Sequence, residues 1–177
     1  MDVPVRELQT ERLRLVPWDP SHEAFLAGLM AQPAMMRYIG AGVALRPTDV
    51  RERAAFAAAH WLARGWGWRV PVLLETGEPI GIVSANRLGE GTAGFSPDEH
   101  EIGWFVGPDH QGRGLALEAS AAVMDELLGP IGAPSVIARI QPANTASIAV
   151  AERLGMAFER ATTGRLGEPV AVYRRLA

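Results

Sequence analysis

The stretch Val106-Gly-Pro-Asp-His-Gln-Gly-Arg-Gly-Leu-Ala-Leu-Glu118 decides how the rest of the chain is read. It sets Gln111, Gly112 and Gly114 between an apolar, strand-like run and an alanine-rich run that favours helix. Glycines let the main chain bend without a Cβ clash, so consecutive N–H groups can converge on one spot, and a helix starting there adds roughly half a positive charge. Such a loop suits a pyrophosphate. An ordinary Gly-rich connection has the same composition, so the surroundings must decide. The two best-known phosphate loops do not fit: a dinucleotide fingerprint from Gly112 needs Gly or Ala where Leu117 stands, and no Gly-Lys-Ser/Thr occurs.

Working outward, Leu13–Pro17 alternates as a first strand, and Asp19-Pro-Ser-His opens a short helix with Ser21 as its cap. Residues 48–64 have helical spacing at Val50, Ala54, Ala57, Ala58, Trp61 and Leu62, with Thr48 or Asp49 as cap and Gly65 as stop. Residues 66–74 and 80–85 read as two strands of a hairpin, turned by Glu75-Thr-Gly-Glu-Pro79. A loop over 89–98 precedes a strand at 101–106, the glycine loop and a helix at 115–128 that Gly129-Pro-Ile-Gly-Ala-Pro134 ends. A strand at 136–140, a helix at 147–154 closed by Gly155, and last strands through Phe158 and Ala171–Arg174 complete the pattern. Strands and helices mixed in this order give an α/β or α+β fold with a largely antiparallel sheet.

A chain of 177 residues, 48% of them hydrophobic, can bury a full core and is most simply one domain over 1–177. Its formal net charge is −3 and it has no basic run, which argues against nucleic acid or an anionic membrane as partner. Without cysteine, a disulfide, a thiolate-held metal and an acyl-cysteine intermediate are all excluded. Met1–Glu7 has no apolar signal core, and no apolar run approaches the length of a membrane span, so a cytoplasmic location is expected.

Gln/Arg-x-x-Gly-x-Gly/Ala, occupied by Gln111, Gly114 and Ala116, resembles the acyl-CoA loop of the GCN5-related N-acetyltransferases (GNAT). Asn144-Thr-Ala-Ser147 followed by Ala151-Glu-Arg-Leu-Gly-Met-Ala-Phe158 is similar to that superfamily's second CoA-contacting segment. Leu8-Gln-Thr-Glu-Arg-Leu-Arg-Leu15 and Glu101-Ile-Gly-Trp104 resemble the branch named for the ribosomal-protein N-terminal acetyltransferases (RimJ/RimL-like), so the likeness spans nearly the whole chain. One departure is Met156-Ala157 inserted between Gly155 and Phe158. The resemblance implies an α+β sandwich with a mostly antiparallel sheet of about six to seven strands and helices on both faces. It further implies acetyl-CoA as cosubstrate, no metal, and compatibility with a homodimer.

Acetyl transfer from a thioester to an amine needs a neutral amine, a polarised carbonyl and a proton for the departing thiolate. The resemblance puts Glu101 where a carboxylate takes the amine's proton, commonly through water; a solvated strand-end charge is the alternative, and Glu99 and His100 compete for the role. Main-chain groups of Trp104, Phe105 and Val106 are expected to polarise the carbonyl and pair with the pantetheine. Gln111, Gly112, Arg113, Gly114, Leu115 and Ala116 form the phosphate cradle, with Arg113 either neutralising phosphate or simply solvated. Tyr173 lies too far along to protonate the thiolate, which leaves Ser147 as donor or as a helix cap, and Asn144 as cofactor contact or cap.

Trp18, Met35, Tyr38, Trp61, Trp66 and Trp68 are mostly core, with one or two indoles expected to line the acceptor pocket. Asp98, Glu99 and Glu101 favour a cationic acceptor: a peptide N-terminus, a polyamine or an amino sugar. A non-catalytic acyl-CoA sensor on the same fold is the rival reading; it would keep Gln111, Gly114 and Asn144 without needing Glu101 or Ser147. A cation site at His100, Glu101, Asp109 and His110 is the weaker alternative, since no His-Glu-x-x-His or Gly-x-Ser-x-Gly occurs.

Overall fold

A computed structural model describes residues 7–89 and 92–177. Residues 1–6 of the stretch Met1–Glu7, read as having no apolar signal core, and Glu90 and Gly91 in the loop read at 89–98, lie outside these residues. The described chain runs β1 (Leu8–Gln9), β2 (Leu13–Pro17), α1 (Glu23–Met30), α2 (Pro33–Met36), α3 (Pro47–Arg64), β3 (Arg69–Leu73), β4 (Gly81–Arg87), β5 (His100–Val106), α4 (Leu115–Leu128), β6 (Ser135–Ile140), α5 (Thr145–Arg153), β7 (Ala157–Thr163) and β8 (Pro169–Leu176). All eight strands join one sheet in the order β1-β2-β3-β4-β5-β6-β8-β7. The count exceeds the expected six to seven, and the two-residue β1, which carries no readable alternation, is one strand that the pattern missed. Neighbouring strands are antiparallel except β5 and β6.

Strand alternation divides the core between the two faces of the sheet. Ile82 and Phe105 pack with Leu26, Met30, Val50, Ala57 and Trp61 of α1 and α3. Val83, Ala85, Ile102 and Val106 pack instead against Leu115, Ala119, Val123 and Leu127, one stripe of α4, together with Ala151 of α5 and Leu154 just after it. Each of these aliphatic side chains contributes about 1.5–3 kcal/mol by leaving water, the alanines less. Between β3 and α4, the guanidinium of Arg69, 1% exposed, bonds Glu126 at 2.5 and 3.0 Å.

Helix ends depart from the sequence reading in small ways. Asp19, not Ser21, caps the first turn, its carboxylate accepting from Ser21 N–H at 2.7 Å, because an Asx side chain reaches two residues forward. Helix α3 starts at Pro47, and Asp49 serves by accepting from the main-chain N–H of Arg46. After α5, Gly155 adopts φ +76° and Met156, 4% exposed, fills the core position, which sends Phe158 outward at 59% exposure. The inserted Met156-Ala157 therefore extends the turn without disturbing the packing. No described helix is long and apolar enough to cross a membrane.

Candidate active site

The sheet opens where β5 meets β6. Their parallel ladder consists of His100 with Val136 and Glu101 with Ile137; beyond that β5 runs on to Val106 and β6 to Ile140 without partners for each other. Two bonds to the other side, Leu88 N–H to Glu99 O at 3.0 Å and Gly107 N–H to Ile80 O at 2.8 Å, fix which main-chain groups face β4. In an antiparallel ladder the direction alternates, so odd-numbered β5 residues face β4 and Ile102, Trp104 and Val106 face the gap. Of the three residues expected to meet an acyl donor through main chain, Phe105 is therefore turned away. Such an open edge offers unpaired N–H and C=O groups to an amide-bearing chain.

The glycine loop lies at the end of this strand. Gly112 and Gly114 have φ of +73° and +76°, the left-handed region that side chains avoid, and a Cβ built on Gly112 would have nothing within 4 Å. Gly114 is the N-cap of α4 with no side-chain cap, and the first helical bond runs from Glu118 N–H to Gly114 O. That leaves the N–H groups of Leu115, Ala116 and Leu117 without intrahelical partners, a cradle fit for phosphate oxygens. Gln111 works inward: its side-chain amide donates to Val106 O at 2.9 Å and its main-chain N–H to Pro108 O at 3.3 Å. It shapes the loop against β5 instead of aiming its amide at the cradle. Arg113 is exposed, and its carbonyl accepts from Arg12 Nη1 at 3.0 Å.

On the β6 side, α5 presents its own N-terminus. Asn144 is the cap, its Oδ1 accepting from Ser147 N–H at 3.2 Å, and its NH2 group remains free to donate. Ser147 sits two residues inside the helix start and is half-buried, so capping falls to Asn144 and not to the serine hydroxyl.

The carboxylates separate cleanly. Glu101 points to the α1/α3 face with Phe105, its side chain 16% exposed, and forms a two-pronged pair with Arg139 on β6 at 2.5 and 3.1 Å. Glu99 is bound by Arg174 and also meets Ser135, and Arg174 makes a further short pair with Glu159; the two carboxylates push the Arg174 guanidinium still further toward its charged form. His100 lies on the opposite face from Glu101, buried and stacked on Trp66 at 5.5 Å, and burial lowers its pKa. Neither rival of Glu101 reaches the gap on its side. Asp98 is paired as well, with Arg87 at 2.6 Å, so the acidic cluster expected to attract a cation is neutralised by arginines. Arg139 is further covered by Phe95, whose ring it shares with Arg160 at 5.7 and 4.6 Å. Arg139, Phe95 and Arg160 were missed in the sequence because only sheet register brings them to Glu101.

Four of the five tryptophans are buried, as expected of a mostly core set. Their N–H groups explain it: Trp18 donates to Ala54 O, Trp61 to Trp68 O and Trp68 to Asn86 Oδ1. A cavity of about 370 Å³ instead lies among Arg37, Gly40, Gly42, Gln141, Leu166 and Glu168, where the α2–α3 connection meets the end of β6 and the β7–β8 turn. Gln141 continues the face that carries Glu101 and Arg139, and Arg139 feels the charge of Glu168. Among the described residues no group of three or more His, Asp or Glu side chains is placed to hold a metal ion.

Residues 12–157 match the family model of the acetyltransferase (GNAT) domain. The chain belongs to the GNAT acetyltransferases. Their acetyl donor is acetyl-CoA, and this family spans the cradle, the gap and Ser147 here. YkkB of Bacillus subtilis is 30% identical over 96% of this chain and 95% of its own. The crystal structure of an acetyltransferase from Agrobacterium tumefaciens, also 30% identical, covers 97% and 95% of the two chains with a TM-score of 0.81. A ribosomal L7/L12 α-N-protein acetyltransferase, RimL, solved with coenzyme A, shares the fold at a TM-score of 0.73 and 19% identity, over 94% of this chain and 95% of that one.

Proposed function

We propose that this chain, as one acetyltransferase domain over 1–177, moves the acetyl group of acetyl-CoA to a primary amine by direct attack in a ternary complex. The observation that carries the reading is the pairing of an open β5 edge with an uncapped, glycine-led α4: one offers Trp104 and Val106 main chain to an amide-bearing arm, the other offers N–H groups to its pyrophosphate. Bound there, the donor supplies an activated thioester carbonyl. Main-chain N–H groups facing the gap polarise that carbonyl, and Glu101, approached from the α1/α3 face, receives the amine's proton through water. Ser147 donates a proton to the departing sulfur. The balance is an amide and a thiol from an amine and a thioester, with no acyl-cysteine intermediate, since the chain has no cysteine.

The cavity lined by Arg37, Gln141 and Glu168 is the acceptor entrance in this reading, and a peptide N-terminus, a polyamine or an amino sugar are the amines to try. Asp98, Glu99 and Glu101 are each held by an arginine, whereas Glu168, whose Oε2 accepts from Leu166 N–H at 2.9 Å, makes no arginine pair among the described residues and is the carboxylate to greet a cationic amine at that entrance. A cytoplasmic setting is consistent with an intracellular donor. The test is acetyl-CoA consumption against a panel of these amines, with product mass. All 17 Lys and Arg positions are arginine, so the enzyme has no lysine side chain to acetylate, and product mass separates label on the panel amine from label on its own α-amino group. Tight CoA binding with no acetylated product from any amine would refute catalysis and leave a sensor.

A further inference from the structure

A carboxylate sits where an anion-binding loop should least tolerate one. Glu118 lies in the first turn of α4, four residues after the N-cap Gly114, with its side chain 16% exposed. A charge there would repel phosphate. Its oxygens are instead both turned toward the β1–β2 connection: Oε1 accepts from Thr10 Oγ1 at 2.6 Å and from Arg12 N–H at 2.8 Å, and Oε2 accepts from Arg12 Nε at 2.7 Å and pairs with Nη2 at 2.6 Å. The third guanidinium nitrogen, Nη1, donates to the carbonyl of Arg113 inside the glycine loop at 3.0 Å. Arg12 Nη2 also lies 3.6 Å from where a Cβ on Gly114 would be.

We propose that Arg12 and Glu118 form a clamp that sets the donor loop, with Arg12 a positioning residue for pyrophosphate binding. This rests on the reading that the loop takes the pyrophosphate of acetyl-CoA. The clamp acts twice. By holding the Arg113 carbonyl toward β2 it keeps that oxygen from the cradle, where it would face phosphate oxygens, and it holds Gly114 in its left-handed conformation. By matching Glu118 with a forked cation it cancels the one negative charge in the first turn of α4, leaving the free N–H groups of Leu115 to Leu117 and the helix dipole to dominate. Burial opposes ionisation of Glu118, but the Thr10 hydroxyl and Arg12 outweigh it and hold its carboxyl below the ordinary range, so the charge Arg12 must cancel is present at neutral pH. Thr10, Arg12 and Glu118 are 106 to 108 residues apart in sequence, which hides the device from motif reading.

The experiment is calorimetric titration of CoA and of pantetheine into the wild type, Arg12→Met, Glu118→Gln and the double variant, with melting temperatures alongside. Arg12→Met is expected to weaken CoA at least about tenfold, by freeing the Arg113 carbonyl and exposing the Glu118 charge, and Arg12→Met/Glu118→Gln to bind at least about threefold tighter than Arg12→Met, the charge being removed while the Arg113 carbonyl stays free. Pantetheine, which lacks the pyrophosphate, should bind all four proteins alike; a merely structural role would weaken both ligands in step with stability. If Arg12→Met does not fold, Arg12→Lys keeps the charge without the fork and should show a smaller loss that Glu118→Gln again repairs. A double variant as weak as Arg12→Met, or CoA affinity within twofold of wild type in the single variant, overturns the clamp. Wild-type protein that binds no CoA would instead overturn the donor-loop reading beneath it.

Discussion

Replacing Gly114 with alanine adds a single methyl group, yet it tests the whole cradle. The methyl would meet nothing closer than Arg12 Nη2 at 3.6 Å, an ordinary contact, so the cost comes from the backbone alone. At φ +76° an L-residue is strained by about 1–2 kcal/mol. The loop can either keep its shape and lose that much stability, or relax and lose the convergence of its N–H groups. Relaxation spends the strain on the ligand, and at about 1.4 kcal/mol per factor of ten the expected loss in CoA affinity is about five- to thirtyfold. Gly77 provides the control, since it has φ +73° and open space around its Cβ position but lies in the β3–β4 turn away from the cradle. Gly77→Ala should lower the melting temperature with CoA affinity unchanged. Calorimetry on both variants decides the matter: if Gly114→Ala binds CoA as tightly as Gly77→Ala does, the loop is not the pyrophosphate site.

Ser147→Ala should lower kcat at least about tenfold with acetyl-CoA affinity kept, because a proton for the thiolate matters only as the C–S bond breaks; since Asn144 makes the cap, the melting temperature should hardly move, and a stability loss with intact turnover refutes the role. Glu101→Gln should cost at least about tenfold at neutral pH and recover in part as pH rises, less than the usual gain of about a hundred- to ten-thousandfold from general-base help because Arg139 occupies the carboxylate; a loss under about threefold with an unchanged pH profile refutes it. His60 predicts a stability slope. Its Nδ1 faces Trp66 O at 2.9 Å and its Nε2 accepts Arg87 N–H at 3.2 Å, so the folded ring is neutral, and burial sets its pKa below the ordinary 6.5. The unfolded chain then binds the proton first, so stability is full above pH 6.5 and falls as pH drops below it; a melting temperature flat from pH 7 to 5 would contradict this.

What could be read in the sequence was whatever local spacing determines. Helix α4 runs over the residues its apolar stripe and flanking glycines predicted, because one face of a helix is fixed by neighbours three and four apart. The left-handed glycines of the loop were legible for the same reason. The pairing of Glu101 with Arg139 was not, since those side chains are 38 residues apart and meet only through the register of two parallel strands. Which acceptor each buried indole finds was not legible either, because composition cannot say where an N–H bonds. A free pocket indole and one bonded to Trp68 O look alike in sequence.

The charges around the gap point to a site whose polarity is main-chain in origin. Asp98, Glu99, Glu101 and Glu118 are each matched by an arginine, and Gln111 turns its amide back onto β5. What remains unmatched among the described residues is the gap-facing edge of β5 apart from the Val106 carbonyl, which Gln111 takes, and the first turn of α4, groups that no side-chain substitution removes. Fixed dipoles of that kind need no reorientation as charge develops, which is the condition for stabilising a transition state more than a bound substrate. The paired arginines then have a common purpose: they offset the charge of the acidic side chains, so that a polyanionic donor meets the backbone field and not a wall of carboxylates. In the proposed reaction Arg139 and Arg12 act on the two ends of one path, the first at the amine's entrance beside Glu101 and the second at the phosphate loop. Loss of Arg139 should therefore be felt in the acceptor's kinetics and loss of Arg12 in the donor's affinity, although both remove one cation from the same gap.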